Sequence, residues 1–328
     1  MPATRRSFLE SSAASLLTTA GLTAMPRATR AQGSDKPIRW VYPFSPGSSA
    51  EVAVRAIAER MSGELKRPIV VDPRPGAGGI VGYTAAMRSD PDGSTIVAVS
   101  PSVHSLPLLH KSLPADFRED FVFVSQLFRY YNVFITPPDS PFRSIADLVG
   151  EAHARPGTVS VGSVQVGGIG WMMIKKLAHA RNLRFNEVVY QTTSQQMVDV
   201  LGGRLAVGTA LVGDAAPYIR DGRVRALGVS APRAVPQLSG VAPIADTVPG
   251  FEMSSWFGLG VLKGTSPALI DSYERSAIAS VRSSEMQERL VKGGLQAVGS
   301  SRGEFASFLS EEARLYRQVF RDANVQPG

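Results

Sequence analysis

The sequence predicts an α/β protein of two domains, each a parallel sheet covered by helices. Three observations predict it. Short runs rich in β-branched and aromatic residues alternate with segments whose apolar residues recur at i, i+3, i+4 and i+7. Three Gly/Ser-rich loops each stand between such a strand and such a helix. The 328 residues, 44% of them hydrophobic, are enough for roughly two domains with cores of their own.

Ile38-Arg39-Trp40-Val41-Tyr42 reads as the first strand, and the loop 43–49 follows it. Val54, Ile57, Ala58 and Met61 then mark one face of a helix. Residues 68–72 form the second strand, 73–79 its loop, and the next helix begins near Ile80. Residues 94–99 are the third strand. This βαβαβ start implies a parallel sheet. A second such unit begins near Asn132, with a strand at 133–135, a helix at 144–151 and a strand at 159–161. That strand leads into the third loop, 162–168, and a helix over about Ile169–Arg181. Further strands read at 188–190, 207–211 and 226–229, punctuated by Gly202-Gly203 and Asp221-Gly222. From about Phe251 the chain returns to the first domain with a strand at 256–262. Ser266 is placed to cap a helix whose first position is Pro267, and Gly293-Gly294 stops the next one. The last helix carries Phe305, Phe308, Leu309, Tyr316 and Phe320, a stripe that docks onto the core. The domains are therefore expected at 32–132 plus 253–328, and at 133–252.

The first 31 residues read as an export leader. Thr4-Arg5-Arg6-Ser7-Phe8-Leu9 is a twin-arginine pattern, residues 11–25 are mildly apolar, and Thr29-Arg30-Ala31 offers small residues for cleavage. The segment holds Arg5, Arg6, Arg27 and Arg30 against Glu10, so +3 of the formal +7 leaves with it and about +4 remains. That modest excess, with no Lys/Arg cluster among aromatics, argues against nucleic-acid binding. No apolar run is long enough to span a membrane. The absence of Cys excludes disulfides, thiolate catalysis and thiolate metal sites. His104, His110, His153 and His179 lack metal-ligand spacing, so neither metal nor cofactor is expected.

The three glycine-rich loops carry the functional reading. In an open parallel sheet such loops gather at the carboxyl ends of the strands. Each helix start presents unpaired N–H groups and the positive end of a dipole, a seat for an anion. Glycine lets the backbone approach the ligand, and Ser48, Ser49 and Ser163 add hydroxyls. Two motifs mislead. Gly76-Ala77-Gly78-Gly79-Ile80-Val81-Gly82 misses G-x-G-x-x-G by one residue, and no acid follows at the required distance. Gly299-Ser300-Ser301-Arg302-Gly303 matches G-x-S-x-G without its strand-to-helix setting; Ser301 and Glu304 instead form a capping box. Glu51 fits favourable placement at a helix start, and Trp171 could face ligand or core.

In order along the chain, Val41-Tyr42-Pro43-Phe44-Ser45-Pro46-Gly47, then Val71-Asp72-Pro73-Arg74-Pro75-Gly76-Ala77-Gly78-Gly79 and Pro91-Asp92-Gly93 form a recognisable set. Leu201-Gly202-Gly203, Asp221-Gly222-Arg223-Val224-Arg225-Ala226-Leu227 and Gly264-Thr265-Ser266-Pro267 continue it. Beyond the leader the chain resembles, over essentially its whole length, the substrate-binding proteins of tripartite tricarboxylate transporters, the Bug family. The resemblance implies a class II periplasmic-binding fold, two α/β domains with a hinge and a ligand cleft between them. It implies a periplasmic, monomeric receptor that delivers an organic carboxylate to membrane transporter subunits without catalysis. In the family the first two loops cradle a carboxylate, and carried over residue by residue those contacts fall on Phe44, Pro46, Gly47, Ser48 and Ser49 and on Pro75, Gly76, Ala77, Gly78 and Gly79; Glu51, where the family usually has Asp, and Ser102 are further candidates. The second domain contributes Ser163, Gly167, Gly168 and Trp171, and Thr192 and Thr193 after Gln191. This half departs from the family: Trp171 replaces a usual His, and Ala206 and Ala210 replace a usual Asp pair. The expected ligand is therefore a monocarboxylate with an apolar or aromatic body. An exported hydrolase or transferase, using Ser48, Ser163 and His104, and a receptor feeding a sensor kinase are the alternatives.

Overall fold

Strand β1 (Ile38–Tyr42) buries Trp40, Val41 and Tyr42 and pairs in parallel with β2 (Ile69–Pro73) and β3 (Thr95–Val99). Between β1 and β2 runs α1 (Ser49–Leu65), which presses Val54, Ile57, Ala58 and Met61 into the core as their spacing predicts. Helices α2 (Ile80–Met87), α3 (Ser102–Leu109) and α4 (Phe117–Asp120) complete this half. The computed structural model describes residues 36–327, so the leader expected at 1–31 lies outside the described residues.

Next comes β4 (Phe121–Thr136), a strand of 16 residues, roughly three times the usual length. The chain continues through α5 (Ile145–Ala154), β5 (Ser160–Val164), α6 (Ile169–Arg181), β6 (Asn186–Tyr190), α7 (Thr193–Leu201), β7 (Val207–Leu211), α8 (Val212–Arg220) and β8 (Arg225–Val229). It ends with β9 (Ser254–Leu262), α9 (Pro267–Arg282), α10 (Ser284–Lys292), β10 (Leu295–Ala297) and α11 (Arg302–Asp322).

The strands join in one mixed sheet, ordered β2-β1-β3-β9-β4-β7-β5-β6, with β10 and β8 also paired to β4. The pairing is parallel within β2-β1-β3 and within β6-β5-β7, as the βαβ pattern requires. Where β9 and β4 intervene it is antiparallel. The reading of 133–135 as a short strand starting a new unit is corrected by β4, which begins twelve residues earlier at Phe121. It pairs with β9 through Tyr131 and with β7 from Asn132. One strand thus serves both halves of the sheet.

The core is divided accordingly. One cluster gathers Trp40, Ile57, Leu127, Phe128 and Leu259, and another gathers Phe134, Leu148, Met173 and Leu177. Helix α11 belongs to both halves. Its Phe305 and Leu309 pack with Val97, Val99 and Trp256, whereas its Tyr316, Val319 and Phe320 complete the cluster around Phe134 and Met173. The expectation that residues 253–328 attach to the first half alone thus meets a helix shared between them. Among the described residues no helix is long and apolar enough to cross a membrane.

Candidate functional site

A cavity of about 160 Å³ lies at the carboxyl ends of the strands, where open α/β sheets place their ligands. It is smaller than the roughly 300–1,000 Å³ of pockets for drug-sized molecules, so it suits a small solute. One wall is aromatic. Phe257 stacks on Tyr42 at 5.6 Å and meets Phe44 edge-on at 5.6 Å, with Tyr130 at 6.2 Å. The rest mixes aliphatic residues such as Leu106, Val166 and Leu211 with hydroxyls and carboxamides, among them Ser48, Ser102, Ser105, Thr209, Asn132 and Gln165. Among the described residues no charged side chain lines it. A wider adjoining cleft shares Ser45, Gly78, Gln165 and Thr192 with the cavity and adds Pro75, Gly76, Ala77 and His110.

Helices α1, α3, α6 and α7 begin at this cavity, and in all of these but α6 a side chain answers an amide of the first turn. At α1, the Ser48 hydroxyl accepts from Glu51 N at 3.2 Å, and Ser49 N donates to the Asp214 carboxylate at 2.9 Å. Gly47 N donates to Glu51 Oε2 at 3.2 Å, and Glu51 is paired with Arg55. At α3, Ser102 N donates to the Ser100 hydroxyl and Val103 N to the Ser100 carbonyl. At α7, Thr192 and Gln195 form a capping box. Helix α6 differs. Its N-cap is Gly168, which brings no side chain, and among the described residues the amides of Ile169 and Gly170 find no acceptor. Both residues line the cavity. Glycine is required at 170, because a Cβ there would lie 2.2 Å from Thr209 Oγ1.

The second loop is shaped by backbone that only glycine adopts readily. Gly76, Gly78 and Gly79 have φ of 144°, 67° and 112°, and Ala77 between them has φ 46°. Gly82 lets α2 press on the first loop, since a Cβ there would meet Pro43 Cα at 2.6 Å. Gly82 thus serves packing between the two loops. Behind them runs a chain of hydroxyls: Tyr83 to Ser102 at 2.7 Å and Ser102 to Ser100 at 3.0 Å.

Of the residues singled out from sequence, Phe44, Ser48, Gly78, Ser102, Gly167, Gly168, Thr192 and Thr193 meet at the cavity. Pro75, Gly76 and Ala77 line the adjoining cleft. Pro46, Gly47, Ser49 and Gly79 shape the loops without lining either, and Ser163 is buried behind the wall. Glu51, 5% exposed, folds the first loop instead of facing the cavity. Trp171, also 5% exposed, turns to the core, its ring 5.5 Å from that of Phe320. Sequence reasoning missed Tyr130, Asn132, Phe257 and Asp214. The first three come from β4 and β9, outside the three glycine-rich loops. Asp214 looks like an ordinary first-turn acid of α8, yet its carboxylate reaches α1.

His104 sits on α3 against Trp256 and Tyr316, with Nε2 3.5 Å from Glu312. The Trp256 indole also donates to Glu312. Burial pushes Glu312 up to about 8 and His104 down to about 4, so both are uncharged near neutrality. Ser48, which a hydrolase would need beside His104, caps α1 instead. Among the described residues no group of three His, Cys, Asp or Glu is placed to hold a metal.

Comparison with known proteins follows the same lines. A family model described as tripartite tricarboxylate transporter family receptor matches residues 53–325. The UPF0065 protein in the tcbD-tcbE intergenic region of Pseudomonas sp. (strain P51) is 30% identical over 298 residues, 89% of each chain. BugT of Bordetella pertussis is 28% identical over 297 residues, 89% of this chain and 90% of its own. A solved periplasmic transporter structure, 28% identical, superposes with a TM-score of 0.82 over 90% of this chain and 99% of that one. Rpa4515 of R. palustris, solved with adipate, is 25% identical with a TM-score of 0.84 over 89% and 99%.

Proposed function

The chain belongs to the tripartite tricarboxylate transporter receptor family and has the class II periplasmic-binding fold, and from that premise we propose that it captures a small monocarboxylate with an apolar or aromatic body. The observation that carries this reading is the open start of α6. Its unanswered amides belong to Ile169 and Gly170, which line a cavity of aromatic and aliphatic side chains, hydroxyls and carboxamides with no charged side chain among the described residues. A helix start of this kind favours an anion without any cationic side chain. The carboxylate sits there, with Ser102 as a hydroxyl donor, and the ligand body lies against Phe44, Tyr42 and Phe257. Support for an acidic ligand also comes from Rpa4515, the relative solved with adipate.

The two halves, 32–132 plus 253–328 and 133–252, act as lobes that close over the ligand. The hinge lies where β4 passes from β9 to β7 at Tyr131 and Asn132, and where the chain re-enters β9 at Ser254. The protein is exported through its twin-arginine leader, works as a periplasmic monomer, hands its cargo to membrane subunits and releases it unchanged. A thermal-shift screen of the purified protein against a carboxylate library tests this. A ligand at ~100 times its dissociation constant adds about 2.7 kcal/mol of stability, a clear rise in Tm. Aromatic and aliphatic monocarboxylates are expected to respond and to be recovered intact. Tight binding of citrate with no response to monocarboxylates overturns the ligand class, and silence from every acid overturns the receptor reading.

A further inference from the structure

Two helix starts at the cavity could each seat a carboxylate, those of α1 and α6, but α1 already holds one from within the protein. Asp214 belongs to α8 in the second half of the sheet, yet its Oδ1 accepts from Ser49 N, the first amide of α1, at 2.9 Å. Its position is fixed by close backbone packing: a Cβ on the neighbouring Gly213 would lie 2.0 Å from the Gly293 carbonyl oxygen. Ser49 stands between Ser48 and Ala50, both of which line the cavity, as does Leu211 just before α8. The second carboxylate oxygen of Asp214 is buried and has no partner among the described residues. Burial raises the hydroxyl pKa of Tyr42 and Tyr130, both in the cavity wall, and the charge of Asp214 adds to the rise. The carboxyl of Asp214 is itself raised by burial, and the Ser49 N–H opposes this by favouring the ionised form.

We propose that Asp214 determines specificity: it fills the anion seat at the start of α1 and restricts the receptor to ligands with one carboxylate. A second ligand carboxylate reaching this end of the cavity would find the helix start neutralised and a fixed negative charge beside it. No cationic side chain lines the cavity to offset that charge. The inference rests on the carboxylate-receptor reading above and adds the count of carboxylates to it.

The test compares two pairs of acids that differ by one carboxylate, hexanoate with adipate and benzoate with terephthalate, by calorimetry on the full chain. The wild type is expected to favour the monoacid of each pair. Asp214→Ala opens the seat, and Asp214→Asn removes only the charge while keeping an acceptor for Ser49 N. Both variants are expected to move the diacid-to-monoacid affinity ratio toward the diacid by about tenfold or more, the scale of one charge at short range in a partly buried site. Asp214→Glu keeps the charge and is expected to retain the wild-type ratio. A ratio unchanged in both neutral variants overturns the inference and leaves the receptor reading standing, as does a wild type that prefers diacids. No heat from any of the four acids, with wild type or variants, overturns the receptor reading itself. If Asp214→Ala fails to fold, the near-isosteric Asp214→Asn decides.

Discussion

The starts of α1 and α6 are built on one plan and end in opposite states. Each follows a strand of the sheet and a Gly/Ser-rich loop, and each opens on the same cavity. At α1 the first turn is closed by Ser48, Glu51 and Asp214. At α6 a glycine N-cap leaves the first amides unanswered. A strand–loop–helix unit is therefore only a possible anion seat. Whether it is one depends on which side chains reach its amides, and one of those side chains comes from 165 residues away in sequence.

The comparison is broken most directly by putting an acid at α6. Ile169→Asp adds a carboxylate at a first-turn position that welcomes negative charge, so the fold is expected to survive. Affinity for monocarboxylates should fall by about 100-fold or more, the scale of 3 kcal/mol, and Ile169→Asn should lose far less. Calorimetry on both variants checks this; equal losses would place the anion elsewhere. Trp171, two positions further along α6, sharpens the same contrast. Because its ring packs on Phe320, Trp171→Phe is expected to cost about 1–3 kcal/mol of stability and to leave the dissociation constant within about threefold. A selective loss of affinity at unchanged Tm would return Trp171 to the ligand.

Glu312 extends the comparison to a buried carboxylate with no helix start to answer it. Its proton is held more tightly in the folded state, up to about 8, than in an unfolded chain. Its contribution to stability is therefore full below about 4.5 and is lost as pH rises toward and through 8. His104, lowered to about 4 by burial, acts oppositely, costing stability as pH falls below about 6.5. Between pH 6.5 and 8 Glu312 contributes the larger slope of the two, a loss of about 1–2 kcal/mol. Chemical denaturation at these two pH values should show it, and Glu312→Gln should flatten it. The smallest expected effect is at α1. Ser48→Ala removes a cap worth about 1 kcal/mol and should lower Tm by a few degrees with little change in affinity, because Asp214 and Glu51 still close the turn.

What was legible in the sequence was local. The capping box of Ser301 and Glu304 forms as its spacing requires, and Pro267 takes the first position of α9. Ser266 is the N-cap there, although its hydroxyl makes no capping bond. The apolar face of α1 is buried residue for residue. The three loops were found because glycine marks backbone that other residues avoid. What escaped was decided by distant partners. Ser125, Gln126 and Arg129 interrupt the apolar run that becomes β4, and nothing nearby announces that β9 will pair along it. Asp214 and Trp171 have ordinary local environments, and only the packed structure tells which surface each side chain meets.

Helix α11 has a consequence for how the chain is made. The cluster around Phe134 and Met173 is largely present in sequence by Phe251, but Tyr316, Val319 and Phe320 finish it. During synthesis part of that half's apolar surface stays uncovered until α11 has been made. A chain stopped after Leu309 would keep Phe305 and Phe308 against Trp256, lose Glu312 as acceptor of its indole N–H, and leave Trp171 without its ring partner. Docking of α11 is thus itself a step in closing the core.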